Sequence, residues 1–121
     1  MPTVQLSTAV QQDLEIFEGN TLAFQLDFEN DDTTELDITE WTFVMDIRNK
    51  NWNLNCGTVN SGNFQSLTIG KGLSISAPNS LIAQEDLTIV PGNYKYNLNG
   101  TDAEGIKRTV MYGSIKVNAV V

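Results

Sequence analysis

Carboxylates are the most numerous chemically active side chains in this sequence, and five of them, Asp27, Glu29, Asp31, Asp32 and Glu35, crowd into one short segment. Calcium wants several carboxylate oxygens converging from a flexible loop, so this cluster is the best candidate metal site. Its spacing fits no EF-hand, however, and aspartates and asparagines in such a run also bond their own backbone and make turns. Paired carboxylates can act as glycosidase acid and base, but only in a cleft lined by sugar-stacking aromatics. The sequence has no histidine, which removes the commonest general base at neutral pH and the commonest metal ligand. The single cysteine, Cys56, has no partner for an internal disulfide and no histidine to activate it, and reads as a buried thiol. Gly70-Lys71-Gly72 lacks the rest of a phosphate-binding loop and reads as a bend. Asn99-Gly100-Thr101 matches a glycosylation acceptor but reads as a turn. With no base, nucleophile or metal set in recognisable spacing, the expectation is a protein that is not an enzyme and carries no cofactor.

Binding is therefore the class to examine. Trp52, in a polar stretch, is either an exposed interface anchor or the packing of a loop, tryptophan being favoured at hot spots. Val4 and Leu6 alternate with polar neighbours in the first ten residues, a pattern for an extended arm that adds a strand to a neighbouring subunit. Lys107 and Arg108 form a basic pair and read as gatekeepers on a strand face. Fifteen acidic against seven basic residues give a net charge of −8, which repels phosphates and excludes nucleic acid as a partner. Neither a signal peptide nor a stretch long enough to span a membrane is present, so a soluble product made in a cytoplasm is expected, without a membrane partner.

The elements that must position these residues are strands. With 40% hydrophobic and 18% charged residues in 121, the chain has the composition of one folded domain, read as an arm over 1–10 and a domain over 11–121. Period-two alternation dominates. Leu22, Phe24, Leu26 and Phe28 give one amphipathic strand, and Trp41, Phe43, Met45 and Ile47 another with a heavy aromatic load. Leu14-Glu15-Ile16-Phe17, joined to the first of these through the turn at Gly19, reads as its hairpin partner. Residues 49–62 read as an irregular or edge excursion, and Leu67 and Ile69, then Leu73 and Ile75, flanking Gly70-Lys71-Gly72, as two short strands or one bent strand ended near Pro78. A helical turn or two is expected between Asn79 and Ile89, capped by Ser80 and stopped by Pro91 and Gly92. Tyr94, Tyr96 and Leu98, a turn ending at Gly105, and the run from Ile106 to Val117 spell a long hairpin. Gly113 reads as a bulge that switches the inward residues from Val110 and Tyr112 to Ile115 and Val117. The fold class expected is an all-β, immunoglobulin-like antiparallel sandwich, or a partly open barrel, with at most one short helical turn.

The last third of the chain carries a recurrent pattern: Pro91-Gly92, then Tyr94 and Tyr96, then Asn97-Leu98, then Asp102-Ala103-Glu104-Gly105, then Gly113-Ser114-Ile115-Lys116-Val117. Upstream, Gly19-Asn20-Thr21 and Asp37-Ile38-Thr39-Glu40-Trp41 follow in the matching order. These segments resemble the small β domains of tailed-phage virion proteins, among them the N-terminal domain of siphophage baseplate upper proteins. The resemblance implies a virion structural protein that binds capsid or tail subunits, made in the host bacterial cytoplasm and located in the particle. With no fibre segment after the pattern, the expectation is a capsid decoration or cement subunit, or a small collar, tail or baseplate piece. Such parts act as symmetric homo-oligomers, trimers or rings, which cover strand edges. The alternative is a carbohydrate-binding sandwich for host-surface glycans, with Trp52, Tyr94 or Tyr112 stacking on sugars.

Overall fold

The computed structural model of the chain describes residues 3–49, 55–61, 72–77, 79–86 and 89–120. The strands are β1 (Thr3–Gln5), β2 (Val10–Gln11), β3 (Leu14–Phe17), β4 (Thr21–Glu29), β5 (Thr42–Asn49), β6 (Asn55–Ser61), β7 (Gly72–Ala77), β8 (Ser80–Asp86), β9 (Gly92–Thr101) and β10 (Lys107–Asn118). They form two sheets, one in the order β1-β4-β8-β7 and the other β2-β10-β9-β5-β6, with β3 also paired to β10. The protein is an all-β sandwich.

The core lies where the alternation put it. Leu22, Leu26 and Phe28 of β4 face Phe43, Met45 and Ile47 of β5, Tyr94, Tyr96 and Leu98 of β9, and Ile115 and Val117 of β10, all buried. Removing so many large apolar groups from water is the main favourable contribution to folding. At one end Phe28, Trp41 and Phe43 cluster with ring centroids 5.7–6.1 Å apart, in the offset and tilted geometries that aromatic quadrupoles favour. Gly100 of β9 lies beneath this cluster, and a Cβ there would sit 3.0 Å from carbons of both Trp41 and Phe43. A larger residue at position 100 would displace the rings.

Several sequence expectations change. β3 and β4 are not a hairpin. β3 runs parallel to β10 in one sheet, whereas β4 pairs antiparallel with β8 in the other. The turn at Gly19 (φ 78°) carries the chain between the layers rather than folding it back. Adjacent apolar runs separated by turn residues look the same in either case, because sequence alternation reports burial and not partner. The segment from Ser80 is no helix: Ser80–Asp86 is strand β8, central in its sheet, and no helix occurs among the described residues. Ser80, read as a helix cap, instead donates its hydroxyl to Asp27 Oδ1 at 2.6 Å across the β4–β8 pair.

Residues 3–10 belong to the sandwich itself. β1 lies parallel to β4, Val4 is only 1% exposed, and Leu6 packs partly buried against the core. Ser7 fastens the following turn by donating its backbone N–H and hydroxyl to the Asp31 carboxylate. Residue 10 opens β2, which continues the chain into the other sheet, so among the described residues no arm stands apart from the domain.

The long hairpin of β9 and β10 forms as expected, closed by Asp102 and by Gly105 (φ 86°). Asp102 Oδ1 accepts the backbone N–H groups of Glu104 and Ile106, both at 2.9 Å, the local bonding that makes aspartate a turn former. β10 does contain a bulge, but at Val110 and not at Gly113: Thr109 opposes Asn99 and Met111 opposes Leu98, leaving Val110 as the extra residue. Gly113 is needed for another reason. Its inner side meets the backbone where the chain passes from β2 to β3, and a Cβ would lie 2.8 Å from the Gln12 carbonyl carbon, with the carbonyl oxygen closer still.

Candidate functional site

The bulge at Val110 sets the outer face of the larger sheet. It turns Met111 inward, 1% exposed, and Tyr112 outward, 41% exposed, because one additional residue reverses the alternation beyond it. Register then builds two polar rows across the strands. Tyr112 is flanked by Asn97 of β9 and Gln11 of β2, with Asp46 of β5 beyond Asn97. In the next row Ser114 is flanked by Lys95, with Arg48 beyond it. Asp13 completes this row at the sheet edge, its Oδ1 accepting the Ser114 N–H at 3.2 Å.

Between β2 and β3 the edge of the sheet is interrupted. Gln12 still donates its N–H to the Tyr112 carbonyl at 2.9 Å, but its own carbonyl turns under β10 at Gly113 and accepts the Tyr96 hydroxyl. Burial, reinforced by the Asp13 charge, pushes the Tyr96 phenol well above its ordinary range, so this hydroxyl is a donor at any physiological pH. The result is a hollow of 410 Å³ lined by Gln11, Asp13, Lys95, Asn97, Tyr112 and Ser114, with Tyr96 and Gly113 at its base.

A second surface lies at the end of the sandwich where β3 finishes. Phe17, Val90 and Val120 are 53%, 71% and 61% exposed. Glu18 connects them: it follows Phe17, accepts the Val120 N–H on its carboxylate at 3.2 Å, and lines a shallow depression with Val90. The neighbouring strand β3 is bonded to β10 along one side, and among the described residues no strand pairs with its other side.

The residues singled out from sequence are distributed as follows. Val4 is core, and Leu6 lines the mouth of the sandwich with Leu36, Trp41 and Arg108. Arg108 opposes buried Gly100 on the inner side of β10 and lies 3.7 Å from Asp102 Oδ2. Its stem covers the open end of the core while its charge meets Asp102, so it is not a free strand-face gatekeeper. Lys107 is exposed. Trp52 lies outside the described residues, as do Gly70 and Lys71. Tyr94 is 4% exposed and donates its hydroxyl to the Val90 carbonyl at 2.7 Å, which removes it as a stacking residue. Tyr112 is on the surface, on the face opposite to that expected from alternation.

The acidic segment is occupied by turns. Asp32 accepts the N–H and hydroxyl of Thr34, which lowers its pKa. Asp31 is engaged by Ser7, Asp27 by Ser80, and Glu29 by Gln5 at 3.0 Å. No group of three or more histidine, cysteine, aspartate or glutamate side chains placed to hold a metal ion occurs among the described residues. Of the motif residues, Asp102 and Gly105 shape the β9–β10 turn, Tyr94 and Tyr96 donate to the backbone carbonyls of Val90 and Gln12, and Gly113 lies against Gln12. Their chemistry is architectural. Comparison of the sequence with family models and with curated proteins finds no match in either.

Proposed function

We propose that this chain is a non-enzymatic structural subunit of a tailed-phage particle, acting through contacts with capsid or tail proteins and with further copies of itself. The observation that carries the reading is the exposure of three large apolar side chains, Phe17, Val90 and Val120, on segments that Glu18 brings together. Single exposed apolar residues are ordinary, but several on neighbouring segments favour burial against another protein. β3 beside them offers a strand edge of the kind that symmetric assemblies cover. The pattern that resembles tailed-phage β domains is made here of residues that shape turns and hold strands together, which suits a shared scaffold and leaves the assignment to a particle resting on that resemblance.

Two measurements test this. Mass spectrometry of purified particles should find the chain at a copy number matching a symmetric position, and light scattering should find the isolated protein in a defined oligomer or in a complex with a capsid or tail subunit. A Phe17→Ser, Val90→Ser double variant should keep its melting transition and lose that association. A lone monomer that is absent from particles would overturn the proposal.

A further inference from the structure

Beyond a role in assembly, we propose that the hollow on the outer face of the larger sheet is a binding site for a neutral saccharide, with Tyr112 as its stacking platform. Size comes first. At 410 Å³ the hollow falls within the range of about 300–1,000 Å³ usual for small-ligand sites.

The lining has the composition that a sugar ring requires. A pyranose presents hydroxyls around its rim, each both donor and acceptor, and a flat patch of C–H groups on its face. The amides of Gln11 and Asn97 each offer a donor and an acceptor in one plane, the Asp13 carboxylate accepts, the Lys95 ammonium donates, and the Ser114 hydroxyl does either. Tyr112 supplies an apolar ring with a polar tip, able to cover a C–H face while its hydroxyl stays wet. Apart from Asp13, in the connection between β2 and β3, these side chains project from three adjacent strands with register fixed by backbone pairing. The backbone beneath the platform is therefore set before a ligand arrives, and the ordering cost falls on the side chains alone.

Charge selects among polar ligands. Among the described residues the hollow is lined by one anion, Asp13, and one cation, Lys95, and the β5 residues flanking it repeat the balance with Asp46 and Arg48. Its local charge is near zero within a protein of net charge −8. A phosphate or acidic sugar would gain nothing from such a site and would be repelled by the whole molecule, whereas an uncharged polyhydroxylated ring loses nothing. The position of Tyr112 is itself enforced: the Val110 bulge places it on this face, and the Gln12 carbonyl held by Tyr96 opens the notch beside it.

The test is a glycan array carrying neutral and acidic oligosaccharides, followed by calorimetric titration with the soluble form of any sugar bound and with its constituent monosaccharides. Saturable binding of a neutral saccharide at about millimolar Kd or tighter is expected. Tyr112→Ala should weaken it about tenfold or more, Asn97→Ala should weaken it as well, and Tyr112→Phe should preserve it. Because Tyr112 is exposed, melting curves of the variants should overlay the parent. Tighter binding of the soluble oligosaccharide than of its monosaccharides would identify a polymer as the natural ligand, and equal affinities a free sugar. Absence of saturable binding across the array, a preference for acidic glycans, or equal affinity in Tyr112→Ala would each overturn the site. Incorporation into particles does not depend on these outcomes, so the two proposals fail separately.

Discussion

Replacing Gly113 with alanine should be among the most damaging single-methyl changes available to this protein. The new Cβ would stand 2.8 Å from the Gln12 carbonyl carbon and 3.0 Å from Asp13 Oδ1, well inside the 3.5–4.0 Å at which such atoms attract. Neither neighbour is a flexible side-chain end that could swing clear without loss. The carbonyl belongs to the backbone, and the Asp13 carboxylate is bonded to the Ser114 N–H. Retreat of the Gln12–Asp13 segment breaks that bond, the Gln12 N–H bond to the Tyr112 carbonyl, and the Tyr96 hydroxyl bond to the Gln12 carbonyl. At about 1 kcal/mol net for each, this costs about 3 kcal/mol. The backbone at φ 157° adds about 1 kcal/mol of strain for a residue with a side chain. Alanine also restricts the unfolded chain, which returns roughly 0.4–1 kcal/mol.

The net loss is about 3 kcal/mol, or on the order of 10 °C in Tm for a chain of this size. Calorimetric melting measures it, and amide exchange locates it, since the amides of β3 and the facing part of β10 should exchange faster. Gly105→Ala is the control. Its φ of 86° imposes a conformational penalty, but nothing lies within 4 Å of the added methyl, so about 1–2 kcal/mol is expected. If Gly113→Ala loses less than the control and β3 exchange is unchanged, the close approach at Gln12 is not a constraint and the account of the notch is wrong.

Tyr96→Phe should change the alkaline limb of stability. The folded pKa is raised above the unfolded value near 10, so the parent keeps this contribution below pH 10 and loses it progressively above; urea titrations from pH 9 to 11 should show a steeper fall of stability in the parent than in the variant. Val4→Ala removes two buried methyl groups from the first strand and should cost about 2 kcal/mol by denaturant unfolding, whereas an arm that docks only on a neighbour would leave the monomer's stability unchanged. Asp102→Ala strips the acceptor for two turn N–H groups and the partner of Arg108, for a loss of about 1–2 kcal/mol; Asp102→Asn, which keeps an acceptor, should recover most of it.

These changes fall on positions that differ in how far sequence reveals them. Phe43, Met45 and Ile47, or Leu22, Leu26 and Phe28, are legible because period two and burial are one fact seen twice. Asp102 and Gly105 are legible because the bonds that make the turn are local. Partner choice is not local. Whether Leu14–Phe17 pairs with the strand after it or with one a hundred residues later depends on which sheet edge is open, and the same apolar pattern satisfies both. Ser80 looked like a cap because serine accepts from a helix N-terminus, yet across a β ladder its hydroxyl meets Asp27, and only the pairing of β4 with β8 reveals that partner.

The candidate site shows the same division at a finer scale. Alternation read back from Ile115 and Val117 assigns Met111 to the core and Tyr112 to the surface, whereas alternation read forward from Val110 assigns the reverse. The two readings conflict, and an additional residue must be accommodated between them. Gly113 attracted the bulge on composition, since glycine bends strands readily. In the fold Gly113 is already committed to the Gln12 carbonyl, and Val110, 3% exposed, takes the irregularity without losing burial. The bulge thus falls toward the start of the strand, Gly113 stays in register with Tyr96, and Tyr112 faces solvent beside Asn97. The proposed binding surface depends on the register that this bulge sets.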